Sequence, residues 1–203
     1  MFLTALILSL AAIRAAPPLP SPAAPGSPPP PAIIFVEGVA ATRVGAPLAA
    51  LRDVWERLLG LNFAILDGKY VELGEGAVPP SVDTQRKRLI ELKELPGGLF
   101  RARLEVEAPE ALVRAQEKLR EVTVRGEAEI AAAGSVLSAR GRAREDALEK
   151  AVLAAAAEVY PPSSVPEFIE GRVFYLETLR EAMEEGSYRL TARIKVELMN
   201  RPD

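Results

Sequence analysis

The sequence contains no cysteine and no histidine. Without cysteine, neither a disulfide framework nor a thiolate metal site can form. Without histidine, the commonest general base and the commonest zinc ligand are both missing, which excludes most zinc enzymes and most catalytic triads. We therefore predict no metal, no cofactor and no catalytic residue, and we expect the protein not to be an enzyme.

The chain also has little net charge and few aromatic residues. The chain has 25 Lys and Arg against 28 Asp and Glu, a net charge of -3 at pH 7. This balance lacks the electrostatic signature of nucleic-acid binding, so we expect no nucleic-acid partner. Aromatic residues are 5% of the chain, which disfavours a sugar-stacking cleft. Asn and Gln number two each while Ala, Leu, Arg, Glu and Pro are plentiful, a usage typical of a thermophile.

The N-terminal segment predicts export. Residues 1–16 form an apolar run, shorter than the roughly 20 residues that cross a bilayer, and end in small residues typical of a signal-peptidase site after Ala11, Ala15 or Ala16. Residues 17–32 are rich in proline, which favours an extended polyproline II linker. We expect a signal peptide and a stiff spacer that holds the folded part near a membrane or wall. The alternative is a retained N-terminal helix buried in the core.

Residues 33–107 have the pattern of an α+β unit. Its predicted elements are a strand at 33–40, an amphipathic helix at 48–59 with Trp55 at a core position, a hairpin turning at Asp67-Gly68, and paired strands at 86–95 and 100–107. The turn is the strongest of these signals, because Asp-Gly between two apolar runs is typical of a two-residue hairpin loop.

Residues 122–198 have the pattern of a second α+β unit, joined to the first by a predicted connector helix at 108–121 and followed by a tail at 199–203. Its predicted elements are a strand at 122–130, a helix at 137–160, a strand at 172–179 whose continuation through Met183 could be helical, and an alternating strand at 188–198.

The two units share short sequence patterns. Each opens on a strand ending in glycine, Val36-Glu37-Gly38 in one and Val124-Arg125-Gly126 in the other, and each closes on a similar strand, residues 102–107 aligning with 192–197. We therefore predict an α+β fold of two tandem copies of a strand, a helix and an antiparallel meander, with helix packed on sheet.

The second unit carries four recognisable segments: Val124-x-Gly126-x-Ala128, Ala143-Arg144-x-x-Ala147-Leu148-x-x-Ala151, Ile169-x-Gly171-x-Val173-x-Tyr175, and Gly186-x-Tyr188-Arg189 before an alternating strand. In these it resembles a unit of bacterial envelope proteins, notably the N-terminal region of flagellar assembly protein T and related small outer-membrane lipoproteins. The resemblance implies an exported, non-catalytic part that assembles near the outer membrane, often as one piece of a ring. Unlike such lipoproteins, this sequence has no cysteine to carry a lipid. A weaker similarity, at Val124 to Glu127, is to secreted kinase-interacting domains.

Three functions follow as hypotheses. The first, which we favour, is an envelope scaffold or interaction protein that joins copies of itself or a flagellar, pilus or secretion machine through sheet edges. The second is a carrier that binds a small ligand or lipid between the two units. The third is a hydrolase with two carboxylates either about 5 Å or about 6.5 to 9.5 Å apart. Its candidate acids are Glu37, Glu72, Asp83, Glu127 and Glu170, and their spacing nominates no pair.

Overall fold

Two antiparallel sheets, each with a helix on one face, form the described part of the chain. The computed structural model describes residues 31–75, 86–95, 97–160 and 166–199. The elements are β1 (Ala32–Ala40), α1 (Gly45–Leu59), β2 (Leu61–Leu66), β3 (Lys69–Glu75), β4 (Lys87–Leu95), β5 (Leu99–Ala108), α2 (Glu110–Glu117), β6 (Arg120–Glu129), α3 (Ile130–Ala133), α4 (Val136–Val159), β7 (Phe168–Glu184) and β8 (Ser187–Leu198). The predicted α+β class is confirmed. The predicted signal peptide, nearly all of the linker and most of the tail lie outside the described residues.

The smaller sheet has three strands in the order β1-β5-β4. Helix α1 covers one of its faces, because its buried stripe of Ala46, Ala50, Val54 and Leu58 recurs at helical spacing. This stripe packs on inward-facing residues of β1 and β5. Trp55 packs against the same core, as its helical position predicts. This sheet and helix form one of the two hydrophobic clusters in the described residues.

The larger sheet has five strands in the order β3-β2-β7-β8-β6. Helix α4 covers one face with a buried stripe made mostly of alanine. The helix begins after Ser135, whose hydroxyl oxygen accepts a hydrogen bond from the Ser138 N–H at 3.0 Å. The core between the larger sheet and α4 also includes Val39 and Leu99 from the smaller sheet, so the two layers pack together at that end.

Each helix crosses its sheet directly above a glycine. A Cβ at Gly38 would lie 1.8 Å from the Ala50 nitrogen, and a Cβ at Gly126 would lie 1.8 Å from the Ala143 oxygen. The two crossings correspond when Ala46-x-x-x-Ala50-Leu51 is aligned with Ala143-x-x-x-Ala147-Leu148. The first strand of each half also pairs with the last strand, which pairs with the one before it.

The strand registers differ by two residues from the predicted alignment of the closing strands. Gly38 faces Ala102 in one sheet, and Gly126 faces Leu190 in the other. When Gly38 is superposed on Gly126, Ala102 therefore corresponds to Leu190, two residues from its predicted counterpart Ala192. A shift of two keeps every side chain on the same face of its sheet, which is why the apolar pattern could not reveal it.

The predicted meander of the first unit is wrong, because the β2–β3 hairpin leaves its own sheet. β2 pairs with β7, from Leu61 opposite Val173 to Leu66 opposite Phe168. This placement buries Phe63 and Ile65 in the larger core and covers the edge of β7 at its N-terminal half. Residues 61–75 thus belong structurally to the sheet of the second unit.

Three local predictions have different outcomes. The Asp67-Gly68 turn is confirmed, with φ of 51° and 75°, as a two-residue hairpin loop of this kind needs. The helical alternative for the chain through Met183 is wrong, because β7 runs to Glu184 and pairs with β8 from Gly171 onward. The connector helix is shorter than predicted, since α2 covers Glu110–Glu117 and β6 already begins at Arg120.

Candidate functional site

Charged side chains fill the junction between the two layers. It lies beside the C-terminal half of β7, which β2 leaves uncovered, and β1 and α1 pack towards the same stretch. The main participants are Asp53 and Glu56 of α1, Glu37 of β1, Arg140 and Arg144 of α4, and Glu181 of β7. Such a concentration of partly buried charge makes this junction the first place to examine for chemistry.

Arg144 is the centre of the junction. Its guanidinium forms an ion pair with Glu56 and lies 4.5 Å from the centre of the Tyr175 ring. Burial alone would lower the pKa of Arg144, but the carboxylates of Glu56 and Asp53 raise it above its usual range. Arg144 is therefore a fixed cation that joins α4 to α1.

Arg140 forms a second buried ion pair, with Glu181. Its Nε and Nη2 lie 3.1 Å and 3.3 Å from the two carboxylate oxygens, a two-point contact. Tyr188 donates a hydrogen bond to the same carboxylate. Burial, and next the charge of Glu181, raise the pKa of the Tyr188 hydroxyl. Arg140, Glu181 and Tyr188 therefore satisfy one another within this cluster.

Two carboxyl groups at the junction are shifted towards their neutral forms. Burial raises the pKa of Asp53 to about 6, against the opposing charge of Arg144. Burial likewise raises the pKa of Glu37, although Arg101 and Arg103 oppose it. One Glu37 carboxylate oxygen and the Nε atoms of both arginines are buried without a hydrogen-bond partner in the described structure.

The space left at the junction is small. The cavity between these side chains offers about 10 Å³ to the centre of a water molecule, enough for roughly one water. The ligand or lipid of the carrier hypothesis would therefore have to push the two layers apart.

The candidate acids of the hydrolase hypothesis are scattered. Glu37 lies at the junction on β1, Glu72 on the edge strand β3, Glu127 on β6 and Glu170 on β7. Asp83 lies outside the described residues. Glu127 accepts a hydrogen bond from Arg189 Nε at 2.9 Å, and this bond lowers its pKa. Across the described part of the chain, no three Asp or Glu side chains form a group that could hold a metal ion.

The sheets also present backbone edges. In the described residues, the outer strands are β1 and β4 in one sheet and β3 and β6 in the other. β1 contacts β7, so the junction covers part of the β1 edge. On β6, Glu127 N–H donates to Asp146 Oδ2 at 2.9 Å, and Lys150 Nζ donates to the Arg125 carbonyl at 3.3 Å. Two α4 side chains thus satisfy outward-facing groups of β6.

The edges of β3 and β4 lack such a cover among the described residues, and both carry exposed apolar side chains. On β3, Val71 is 39% exposed and Leu73 is 55% exposed. On β4, Leu89 is 48% exposed and Ile90 is 41% exposed. Exposed edge strands with apolar side chains are the usual sites for pairing with another chain.

Sequence reasoning missed the junction and did not single out these two edges. The available signal for the junction was Arg140 and Arg144 at a four-residue spacing beside the alanine stripe of α4. That signal indicates a charged helix face but does not identify what packs on it. The Asp146–Lys150 pair was visible as a helix pair, whereas its bonds to β6 depend on the tertiary structure.

Comparison with known proteins identifies no relative. No protein-family model matches this chain, and no curated protein or solved structure matches it significantly. The resemblance to the envelope unit therefore stays a prediction. None of the helices in the described ranges is both long enough and apolar enough to span a membrane.

Proposed function

We propose that the protein is an exported, non-catalytic scaffold of the bacterial envelope that assembles with itself or with another envelope machine. The observation that carries this proposal is the pair of sheet edges, β3 and β4, which no other described residue covers and which carry exposed apolar side chains. A partner strand added to such an edge gains main-chain hydrogen bonds without any dedicated pocket. Peripheral proximity to the outer membrane belongs to the same proposal.

Export is supported by the N-terminal sequence. The apolar residues 1–16 are followed by the proline-rich residues 17–32, and β1 begins at Ala32, where that segment ends. A stiff spacer leading directly into the first strand would hold the folded part away from the surface at which the chain is anchored or processed.

A doubled unit is a further part of the proposal. The two halves have the same order of paired strands and the same glycine beneath an alanine pair of the helix. Only glycine permits such a close approach of helix and strand, so finding it at corresponding points of both halves favours a common origin. The β2–β3 hairpin is then an addition to the first copy.

Location and association can be tested together. The full chain is produced in cells of its source, the cells are fractionated, and envelope fractions are treated with a chemical cross-linker. We expect the protein in the envelope fraction, cross-linked into defined larger species. The variant Leu89→Lys/Ile90→Lys should lose the cross-linked species that form through the β4 edge, because lysine side chains on an edge strand discourage pairing with another strand.

Leu48→Lys provides the matched control, since Leu48 is 59% exposed but lies on α1, away from either edge. It should leave the cross-linked species unchanged. Recovery of the protein only in the cytoplasmic fraction, or only as a monomer in every fraction, would contradict the proposed function.

A further inference from the structure

The β3 and β4 edges, uncovered by any described residue, are complementary to each other, and we propose that β3 of one copy pairs with β4 of a second copy, head to tail. This inference rests on the scaffold function proposed above and specifies its partner as the same chain. The occupant of each edge is thus the opposite edge of another copy.

The β3 edge is acidic. A groove between β3 and α4 is lined by Tyr70, Glu72, Glu145 and Glu149, together with Arg142. Neither Glu145 nor Glu149 forms an ion pair with another described residue. Arg142 donates a hydrogen bond to the Ala132 carbonyl at 3.0 Å. Glu145 and Glu149 therefore give the groove negative charge that a basic strand would neutralise.

The β4 edge is basic at its N-terminal end. Arg86, Lys87 and Arg88 follow one another there, and the nearby β5 acids are Glu105 and Glu107. Arg88 pairs with Glu105 at 2.8 Å but remains 71% exposed in its side chain. Lys87 is exposed and forms no ion pair with another described residue. The basic end of β4 therefore matches the acidic groove beside β3.

Backbone direction selects one register. Leu66 and Lys69 flank a two-residue turn, so Lys69 bonds to β2 and the N–H and C=O groups of Tyr70 and Glu72 point outward. On β4, the Arg86 carbonyl accepts a hydrogen bond from Glu107 N–H at 3.0 Å, so Lys87 and Leu89 point outward.

Antiparallel pairing then sets Glu72 opposite Lys87 and Tyr70 opposite Leu89. All four residues have outward backbone groups, so each pair can exchange two N–H···O bonds. The first pair joins opposite charges, and the second joins an aromatic and an aliphatic side chain. The irregularity of β4 between Leu89 and Glu91 limits this pairing to the basic end of the strand.

The same register keeps the two helices on one side. Tyr70 and Glu72 face the α4 side of their sheet, since they lie opposite the buried Ile65 and Phe63. Lys87 and Leu89 face the α1 side of theirs, since they lie opposite Val106 and Leu104. The joined sheet would have eight strands with both helices above it. Because the two contacting edges differ, repeated addition gives a ring or an open filament.

Single cysteines test this register directly. The chain has no cysteine, so Val71→Cys and Arg88→Cys each introduce one thiol, both at exposed positions. In the proposed register these residues are directly opposite in a pair without hydrogen bonds, where Cα atoms lie about 4.5 Å apart, within the range for a disulfide. Mixing the two full-length variants under mild oxidation should give a disulfide-linked dimer. Either variant alone should give little.

Thr123→Cys, at an exposed position of β6, replaces Arg88→Cys in the matched control and should not cross-link to Val71→Cys. Adding Lys87→Glu to the Arg88→Cys chain should lower the cross-linked fraction several-fold. Adding Glu145→Lys/Glu149→Lys to the Val71→Cys chain should restore much of it.

Two results would overturn the inference: a yield no higher than that of the Thr123→Cys control, or disulfide dimers formed mainly by one variant with itself. The scaffold function would survive either result if the envelope species of the wild-type chain persisted and contained a different protein. If those species were absent as well, the scaffold function would fail together with this inference.

Discussion

At the scale of single residues, Gly38 and Gly126 are the positions with least room for a side chain. A methyl group at either one would collide with helix backbone, which cannot rotate away as a side chain can. We expect Gly38→Ala and Gly126→Ala each to lower the free energy of unfolding by about 3 kcal/mol or more, as overpacking against rigid atoms does. Urea denaturation of the purified variants measures the loss.

Gly141 is the control for these substitutions. It lies within α4, and an added methyl group meets nothing within 4 Å. Gly141→Ala should stabilise the protein by roughly 0.5–1 kcal/mol, because alanine is the better helix former. A loss at Gly38 or Gly126 no larger than an ordinary surface change would contradict the close crossing of helix and strand.

Asp53 gives a prediction for pH. The folded protein raises the pKa of this carboxyl from 3.8 to about 6, so it binds the proton more tightly than the unfolded chain. Asp53 therefore lowers stability above pH 6, and this penalty shrinks as the pH falls from 6 to 4. Asp53→Asn should raise the free energy of unfolding at pH 7.5 by at most about 3 kcal/mol and change it little at pH 4.

Urea titrations at the two pH values measure this difference. Glu94→Gln is the control, since Glu94 is exposed on β4 and forms no ion pair with another described residue. It should have nearly the same small effect at both pH values. An Asp53→Asn variant that is less stable at pH 7.5 than the wild type would show that the charged carboxylate stabilises the junction.

Residue-level prediction from sequence succeeded where the cause was local. The Asp67-Gly68 turn and the core position of Trp55 follow from residue type and from helical spacing. The raised pKa of Asp53 could not be predicted, because it depends on burial in the tertiary structure, which outweighs the opposing charges of the distant Arg144 and Arg140. No local pattern distinguishes Asp53 from a solvated acid between apolar helix positions.

At the scale of elements, the protected edge of β6 offers a test. Asp146→Ala removes the acceptor of the Glu127 N–H, and the free energy of unfolding should fall by about 1 kcal/mol. Hydrogen exchange of the Glu127 amide should become faster, while amides in β8 keep their rates. Glu149→Ala, on the same helix, is the control and should leave the Glu127 amide unchanged. Equal acceleration in both variants would mean that Asp146 does not cover this edge.

Element positions followed from periodicity, whereas sheet membership did not. The alternation of residues 188–198 and the helical spacing of residues 48–59 each gave the right element. The β2–β3 hairpin was predicted as a hairpin, but its sheet was wrong, because its partner β7 is distant in the sequence. Likewise, β7 continues to Glu184 because pairing with β8 outweighs local propensity.

At the scale of the whole molecule, Arg144 holds the two layers together. Arg144→Met would leave the carboxylates of Glu56 and Asp53 without their shared cation, and we expect a loss of about 3–5 kcal/mol in the free energy of unfolding. The double variant Arg144→Met/Glu56→Gln should lose less than the sum of the two single variants. A double-mutant cycle in urea measures this coupling. Strictly additive losses would show that the pair does not connect the layers.

Whole-molecule function was only partly open to sequence reasoning. Composition gave reasons to expect no nucleic-acid partner, and the N-terminal residues predicted export. The carrier hypothesis could be examined only in the tertiary structure, since it depends on how closely α1, α4 and β7 meet. The uncovered β3 edge could not be foreseen either, because β3 was expected in the middle of a meander.

The hairpin borrowed by the larger sheet also constrains how the chain can fold. As synthesis proceeds from the N-terminus, β2 is made about 100 residues before the part of β7 that pairs with it. Until β7 is made, the β2–β3 hairpin lacks the strand with which it pairs. The early half of the chain can therefore reach only a partial structure. Such a protein should depend on a holding chaperone during biogenesis, and a fragment that stops before residue 168 should be an aggregating species rather than an independent module.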